Sequence, residues 1–155
     1  MRLPDFATKW IMRRCLRVLR RPADVVIRPD GETPYLYRWY IVRSRWMNVY
    51  LHRTVRSDQK NYLHDHPWHN VSILLDGGYV EWLIDRLIAR GTGDVIFRRA
   101  KTAHRLETIP RYPATSLFIT GPRIRQWGFY TEKGWVPFTD IVDPDDNYVR
   151  RAEYR

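Results

Sequence analysis

The segment Leu63-His64-Asp65-His66-Pro67 decides how this chain is interpreted, because it places two histidines two positions apart. On an extended segment the side chains alternate between two faces, so both imidazoles point to the same side. Imidazole is a good ligand for zinc, copper, iron and nickel, but a metal ion needs more than two ligands. His104, further along the chain, is the candidate for the third ligand. The histidines therefore predict a metal-binding β-barrel.

Short extended runs on both sides of this segment predict an all-β fold. Tyrosine and tryptophan, which favour strands, number ten and seven, and aromatic residues make up 14% of the chain. Turn-forming residues separate the runs at the spacing typical of a sandwich or barrel, as at Asp76-Gly77-Gly78 and Arg90-Gly91-Thr92-Gly93. The strands that we predict cover residues 35–42, 46–55, 69–75, 79–84, 94–98, 104–108, 116–120, 124–130 and 135–139.

Residues 5–21 have the spacing of an amphipathic helix, which Pro22 ends. Its apolar side consists of Ile11, Met12, Cys15, Leu16, Val18 and Leu19. Its basic side consists of Lys9, Arg13, Arg14, Arg17, Arg20 and Arg21. Arginine interrupts the apolar residues too often for a transmembrane segment, so we expect a helix that packs on the domain. Contact of residues 1–21 with nucleic acid or with an anionic membrane stays open as an alternative.

We expect one domain, with a basic N-terminal extension at residues 1–28, a barrel at residues 29–142 and a polar C-terminal tail at residues 143–155. The extension has eight basic and two acidic residues, so it contributes +6 to the net charge of +10. Cys15 is the single cysteine, which excludes an intrachain disulfide and favours a reducing, cytoplasmic location.

The spacing around the histidine pair resembles the first sequence motif of the cupin superfamily, whose members fold as double-stranded β-helix, or jelly-roll, barrels. In that motif a glycine precedes the His-x-His pair, and a glutamate ligand and a second glycine follow it. Here Asp58 stands at the first glycine, Asn70 at the glutamate and Gly77 at the second glycine. The intervals agree with the motif, while Asp58 and Asn70 depart from its residue types.

The second cupin motif places a histidine eleven positions after a glycine, the interval from Gly93 to His104. Its proline, second glycine and final asparagine are replaced here by Arg99, Lys101 and Thr108. The resemblance implies a barrel in which His64, His66 and His104 hold a metal ion. Because Asn70 supplies no carboxylate, we expect three neutral imidazoles, similar to the iron centre of the thiol dioxygenases. Fe²⁺ is the favoured ion, and Zn²⁺, Ni²⁺ or Mn²⁺ would be compatible with the same residues.

Candidate catalytic and substrate-binding residues follow from strand periodicity and charge. Tyr79 and Glu81 lie two positions apart and share one face of a strand, where they are catalytic candidates, with Glu81 as a general base. A cationic metal site favours an anionic substrate, and guanidinium groups are suitable partners for its acid group. The substrate-binding candidates are Arg53, Arg98, Arg125 and Trp127.

Taken together, these residues predict a non-haem iron dioxygenase that acts on a small anionic substrate. A non-catalytic cupin that binds a ligand and a metal-dependent isomerase are the alternatives, because the same barrel supports all three. Exposed sheet edges and the family resemblance also favour a homodimer.

Overall fold

Two antiparallel sheets and one α-helix make up the part of the chain that the computed structural model describes. That part comprises residues 1–28, 32–58, 62–109 and 111–141, together with the backbone of residues 150–151. The prediction of an all-β jelly-roll fold with an N-terminal helix is confirmed. Of the predicted C-terminal tail, all residues except 150–151 lie outside the described part.

The helix and the strands follow one another in chain order, with a 3-10 helix near the end. The helices are α1 (Asp5–Leu19) and the 3-10 turn Phe138–Asp140. The strands are β1 (Val25–Ile27), β2 (Leu36–Arg43), β3 (Asn48–Thr54), β4 (Leu63–His64), β5 (Asn70–Asp76), β6 (Gly78–Leu83), β7 (Leu87–Gly91), β8 (Val95–Arg98), β9 (His104–Thr108), β10 (Ala114–Thr120), β11 (Gly128–Thr131), β12 (Gly134–Pro137) and β13 (Arg150–Arg151).

The two sheets enclose an interior between them. The seven-stranded sheet has the order β13-β1-β2-β3-β10-β5-β8, and the six-stranded sheet has the order β12-β11-β4-β9-β6-β7. Because side chains alternate along a strand, neighbouring residues face opposite sides of a sheet. On β3, His52 stacks on Phe118 with 4.8 Å between ring centroids, whereas the adjacent Leu51 packs beneath helix α1. The face that carries His52 therefore lines the interior.

Helix α1 lies on the outer face of the seven-stranded sheet. Cys15 belongs to a buried cluster with Trp39, Leu51 and Leu75. Four further helix residues pack against this cluster, namely Ile11, Met12, Val18 and Leu19. The apolar side predicted from the sequence is thus the side that contacts the sheet. Within the described residues, no helix combines the length and the apolar character that crossing a bilayer requires.

Strand β1 connects the basic N-terminal segment to the barrel. Val25, Val26 and Ile27 pair with β2, and Val25 and Val26 also pair with β13 on the other side. Residues that the sequence analysis assigned to the extension therefore contribute a strand to the seven-stranded sheet.

Several short strands differ from the sequence-based prediction. Strands β1, β4, β7 and β13 were not predicted, and β4 and β13 contain only two residues each, which is too short to show alternation. The predicted turn at residues 90–93 is wrong for Arg90 and Gly91, because both residues belong to β7. The predicted strand at residues 124–130 begins only at Gly128.

Gly77, the second glycine of the first motif, occupies a position that excludes a side chain. Its φ of +69° lies in the left-handed region, and a Cβ atom there would lie 2.1 Å from the carbonyl oxygen of Pro113. The motif glycine therefore allows the chain to turn tightly from β5 into β6 and to approach the start of β10.

Candidate metal centre

The side chains of the three predicted histidine ligands converge on the inner face of the six-stranded sheet. His64 on β4 and His104 on β9 are directly opposite each other in the antiparallel pairing. His66 follows β4, and its backbone N–H donates to the carbonyl oxygen of Ala100 at 3.0 Å. Two neighbouring strands and one backbone hydrogen bond thus fix the positions of all three rings.

The ring nitrogens are close enough to share one ion. One nitrogen from each of His64, His66 and His104 lies within 4.8 Å of the other two. The Nε2 atoms of His66 and His104 are 2.8 Å apart. Two nitrogens bound to one zinc ion at about 2.0–2.1 Å would lie roughly 3.0–3.4 Å from each other, so small ring movements would complete the site. The predicted convergence of the three histidines is confirmed.

Two of the three imidazoles have a carboxylate beside Nδ1. Nδ1 of His104 lies 3.2 Å from Oε1 of Glu81, in a contact that is poorly aligned for a hydrogen bond. Nδ1 of His64 lies 3.7 Å from Oδ2 of Asp58, and the same oxygen accepts a 2.7 Å hydrogen bond from the backbone N–H of Leu106. A carboxylate behind Nδ1 is the usual support of a histidine that binds metal through Nε2. Asp58, which stands where the family motif has a glycine, is thus the carboxylate that supports His64.

Glu81 is buried in a network of arginines. It is 1% exposed, and it accepts hydrogen bonds from Nε of Arg98 at 2.6 Å and from Nε of Arg90 at 2.7 Å. Burial disfavours the charged form, but the contact with His104 and the charge of Arg98 outweigh it, so the pKa of Glu81 is held far below its ordinary value. Glu81 is therefore an anion that orients His104 and neutralises arginine.

Burial keeps two of the three candidate ligands neutral. Burial, followed by the charge of Arg98, lowers the pKa of His104 to about 4. The pKa of His66 is also well below its ordinary value, first because of burial and then because of its two histidine neighbours. Neutral imidazole is the form that binds a metal ion, so these rings do not need to lose a proton near neutral pH.

Asn70 is a buried polar residue whose side chain has no hydrogen-bond partner among the described residues. It is 2% exposed, and the lack of a partner concerns both its Oδ1 and its Nδ2 atom. Buried polar groups are nearly always satisfied, so an unpaired amide indicates a place where water, an ion or a ligand is bound. Asn70 stands in the sequence where the cupin motif has its glutamate ligand, and its neutral amide fits a site of three imidazoles.

Tyr79 and Glu81, the predicted catalytic pair, lie inside the barrel, where both side chains accept hydrogen bonds from arginine. The hydroxyl oxygen of Tyr79 accepts a 3.2 Å hydrogen bond from Nη2 of Arg98, and burial raises the pKa of Tyr79. Arg98 also donates to Oγ of Ser72 at 2.8 Å. Arg98 is 3% exposed, and each of its three guanidinium nitrogens donates a hydrogen bond, to Glu81, Ser72 and Tyr79 respectively.

The other substrate-binding candidates lie in two different places. Arg53 is exposed on β3, on the opposite face of the strand from buried His52. Nη1 of Arg125 donates to Oδ2 of Asp65, the residue between the two motif histidines. Trp127 stacks on Phe138 with 4.8 Å between centroids, and the centroid of its ring is 6.3 Å from that of His64. Trp127 is thus near the histidines, whereas Arg53 is outside the interior.

Arg38 and His52 form an interior polar pair that the sequence analysis did not select as a site. Arg38 on β2 lies opposite His52 on β3, and its Nε donates to Nε2 of His52 at 2.9 Å. The guanidinium also lies 4.9 Å from the ring centroid of Tyr50. In the sequence, the neighbouring positions of Leu51 and His52 show that their side chains point to opposite faces of the strand. They do not show which face is inward, so the sequence alone could not identify this pair.

Comparison with solved structures relates this architecture to known proteins. A provisionally assigned mannose-6-phosphate isomerase from Ralstonia eutropha JMP134 is 13% identical, with a TM-score of 0.53 over 59% of this chain and 88% of that chain. The polyketide cyclase RemF from Streptomyces resistomycificus is 16% identical, with a TM-score of 0.50 over 66% of this chain and 70% of that chain. KdgF from a Halomonas species is 15% identical, with a TM-score of 0.50 over 60% and 85%.

Sequence comparison gives no match: no family model and no curated protein sequence matches this chain. The similarity to solved structures is at low identity and therefore concerns the fold alone, and one fold can support different activities. These three structures are cupins, and their similarity agrees with the two antiparallel sheets described here. The chain therefore has the cupin fold, as the spacing of its histidines predicted.

Proposed function

We propose that this protein is a metal-dependent cupin enzyme, and specifically a non-haem iron dioxygenase that acts on a small anionic substrate. The observation that carries the proposal is the convergence of three imidazole nitrogens within 4.8 Å of one another. The carboxylates of Glu81 and Asp58 lie behind two of these rings, where they support ligands and do not replace them.

The proposed ligands are His64, His66 and His104, with Fe²⁺ as the favoured ion and Zn²⁺, Ni²⁺ or Mn²⁺ as the other candidates. Bound by three neutral ligands, such an ion keeps its full charge and open positions, and it supplies Lewis acidity or, as iron, one-electron chemistry. The neutral state of His66 and His104 and the unpaired amide of Asn70 both fit this donor set.

The surroundings of the site favour oxygenation over isomerisation. A proton-transferring isomerase needs a free base beside its substrate. Among the described residues, the carboxylates nearest the histidines are already engaged: Glu81 by two arginines, Asp58 by Leu106 and His64, and Asp65 by Arg125. We therefore propose that Glu81 acts as a positioning residue for His104, in place of the general base expected from the sequence.

The remaining parts of the proposal concern the substrate and the assembly. Trp127 is proposed to form part of the wall near His64, and Arg125 to hold the adjoining segment through Asp65. A homodimer and a cytoplasmic location remain part of this proposal and rest on the sequence. Light scattering of the purified protein measures the first of these directly.

The experiment that tests the proposed function compares metal content and oxygen use in two histidine variants. His104→Ala removes a ligand, whereas His69→Ala removes an exposed histidine that lies outside the cluster. We expect near-stoichiometric divalent metal in the parent protein and in His69→Ala, and loss of most of it in His104→Ala. With iron bound, oxygen consumption should appear with an organic acid or thiol acid from a substrate panel.

Each outcome of this experiment decides between the candidate functions. Turnover of a substrate without oxygen would replace the dioxygenase with the isomerase. A metal-free protein whose melting temperature is unchanged by chelator and by added iron or zinc would favour the non-catalytic ligand-binding module. Equal metal content in His104→Ala and His69→Ala would contradict the three-histidine site itself.

A further inference from the structure

We infer that the outward side of helix α1 attaches the protein to the surface of an anionic lipid membrane. This outward side consists of two aromatic and two basic residues on successive turns, namely Phe6, Trp10, Arg13 and Arg17. The inference goes beyond the proposed function and does not depend on it, because α1 lies on the outer face of the seven-stranded sheet, whereas the histidine cluster lies in the interior.

The way in which the helix docks determines which side chains point away from the sheet. The residues of α1 that contact the sheet are Ile11, Met12, Cys15, Val18 and Leu19. At 3.6 residues per turn, positions 6, 10, 13 and 17 lie within about 40° of the direction opposite to this contact. Phe6 is 77% exposed and Trp10 is 59% exposed, and both arginines are exposed as well. Packing on the sheet therefore does not account for the two aromatic rings.

The charge around these rings is almost entirely positive. Lys9 and Arg14 are exposed beside the outward side, and the guanidinium of Arg14 lies 5.3 Å from the ring centroid of Trp10. Asp5, the first residue of α1, is the only acidic residue in the sequence of the helix. Clusters of lysine and arginine on a helix are attracted to the negative potential of anionic lipid headgroups, so the charge of this side is complementary to such a surface.

The aromatic rings within this positive surface favour a lipid membrane as the partner. Tryptophan is enriched at membrane interfaces, because its ring is apolar while its indole N–H stays hydrated, and phenylalanine adds apolar area at the same depth. The neighbouring guanidinium groups are suitable donors to lipid phosphates. A shallow groove between Phe6, Trp10 and Arg13, which Ala7 and Lys9 also line, gives room for part of a headgroup.

The shape of this surface favours a membrane over a nucleic acid. Proteins that bind single strands stack the bases on aromatic rings along a groove that follows the backbone. Here the rings project from the convex side of a helix that is held along the sheet. Because the four residues form a line on one side of the helix, both rings and both guanidinium groups would reach a flat bilayer together.

The test is co-sedimentation of the protein with vesicles of phosphatidylcholine alone, or of phosphatidylcholine and phosphatidylserine at a ratio of roughly 3 to 1. In dilute buffer we expect binding to the anionic vesicles and much weaker binding to the neutral ones, and the binding should decrease as salt is added. The double variants Phe6→Gln/Trp10→Gln and Arg13→Gln/Arg17→Gln should each weaken binding to the anionic vesicles by roughly tenfold or more.

Two control variants remove the same kinds of side chain from other parts of the surface. Ile84→Gln/Leu87→Gln removes two exposed apolar residues at the connection from β6 to β7 in the six-stranded sheet. Arg86→Gln/Arg123→Gln removes two exposed arginines and thus the same charge as the helix variant. Both control variants should bind the anionic vesicles like the parent protein.

Several results would overturn the inference. Equal binding of the parent protein to neutral and anionic vesicles, or no binding to anionic vesicles in dilute buffer, would contradict it without any variant, even if a variant proved to be unfolded on thermal melting. Equal losses in the helix variants and the controls would show that the attachment is not through α1. A DNA duplex that binds more tightly than the anionic vesicles would replace the membrane with a nucleic acid. A dimer that dissociates in both helix variants, measured by light scattering, would replace it with a second copy of the chain.

Discussion

At the scale of single residues, two carboxylates lie behind the imidazoles of the candidate metal ligands. Asp58 is fixed by the backbone of Leu106 and lies beside His64, so its position does not depend on an ion. Glu81 is fixed in the same way by two arginines and lies beside His104. The orientation of the rings is therefore prepared by the fold.

Asp58→Asn should weaken metal binding while it preserves the fold. The amide oxygen can still accept from Leu106, but the charge beside Nδ1 of His64 is removed. Loss of such an outer partner typically lowers metal affinity by roughly 10- to 100-fold. Competition with a zinc-binding dye measures the affinity. Asp85→Asn removes an exposed carboxylate as the control, and equal affinities for the two variants would show that Asp58 does not support the site.

The sequence identified the three histidines and Arg98 but not Arg38, which pairs with His52 in the interior. A His-x-His pair carries its geometry with it, since both rings point to one side of any extended segment. The choice between Arg38 and Arg53 depends instead on which face of each strand is inward. In the antiparallel pairing Arg38 lies opposite His52 and Tyr37 lies opposite Arg53, so the inward face is known only once the two sheets are in place.

At the scale of elements, helix α1 is a cover for the seven-stranded sheet, and its two sides have different roles. Cys15 is buried against the sheet, whereas Trp10 is 59% exposed on the other side, with Arg14 near its ring. The contact is apolar, so a charge placed in it has no partner among the residues of that cluster.

Cys15→Asp should destabilise the protein much more than Trp10→Asp. A carboxylate at position 15 would be buried in the apolar cluster and should cost about 3 kcal/mol or more of unfolding free energy. At the exposed position 10 the same change should stay within about 0.5 kcal/mol. Urea denaturation followed by far-ultraviolet circular dichroism gives both values. A similar loss in both variants would mean that the helix does not dock through this side.

The elements that the sequence predicted well are those with enough residues to show a period. Helix α1 and strands such as β5 and β9 were found with errors of at most two residues at either end. The two residues of β4 form a strand only because β9 and β11 flank them, which is a tertiary effect. Gly91 belongs to β7 although glycine and threonine at 91–93 are typical of turns.

At the scale of the whole molecule, three neutral interior histidines couple stability to pH. Burial lowers the pKa values of His52, His66 and His104 in the folded protein, the last to about 4. In the unfolded chain a histidine takes up its proton near pH 6.5. Below that pH the unfolded state therefore binds more protons than the folded state. The contribution of these histidines to the free energy of unfolding is complete above about pH 6.5 and falls as the pH decreases.

Metal-free protein should lose stability between about pH 6.5 and pH 4, by up to about 1.4 kcal/mol per pH unit for each of these histidines. Urea midpoints measured across this interval give the slope. The His104→Ala variant should have a shallower slope, because one of the protonation sites is absent. A stability that is constant over this interval would show that the interior histidines accept protons without cost.

The excess of arginine inside the barrel has a kinetic consequence. Glu81 pairs with both Arg90 and Arg98, and Arg38 has neutral His52 as its partner, so these side chains together carry a net positive charge even before an ion binds. Such a field draws oppositely charged molecules toward the barrel from a distance and slows their departure. Capture of an anion would then be rapid in dilute buffer and would slow as ionic strength rises.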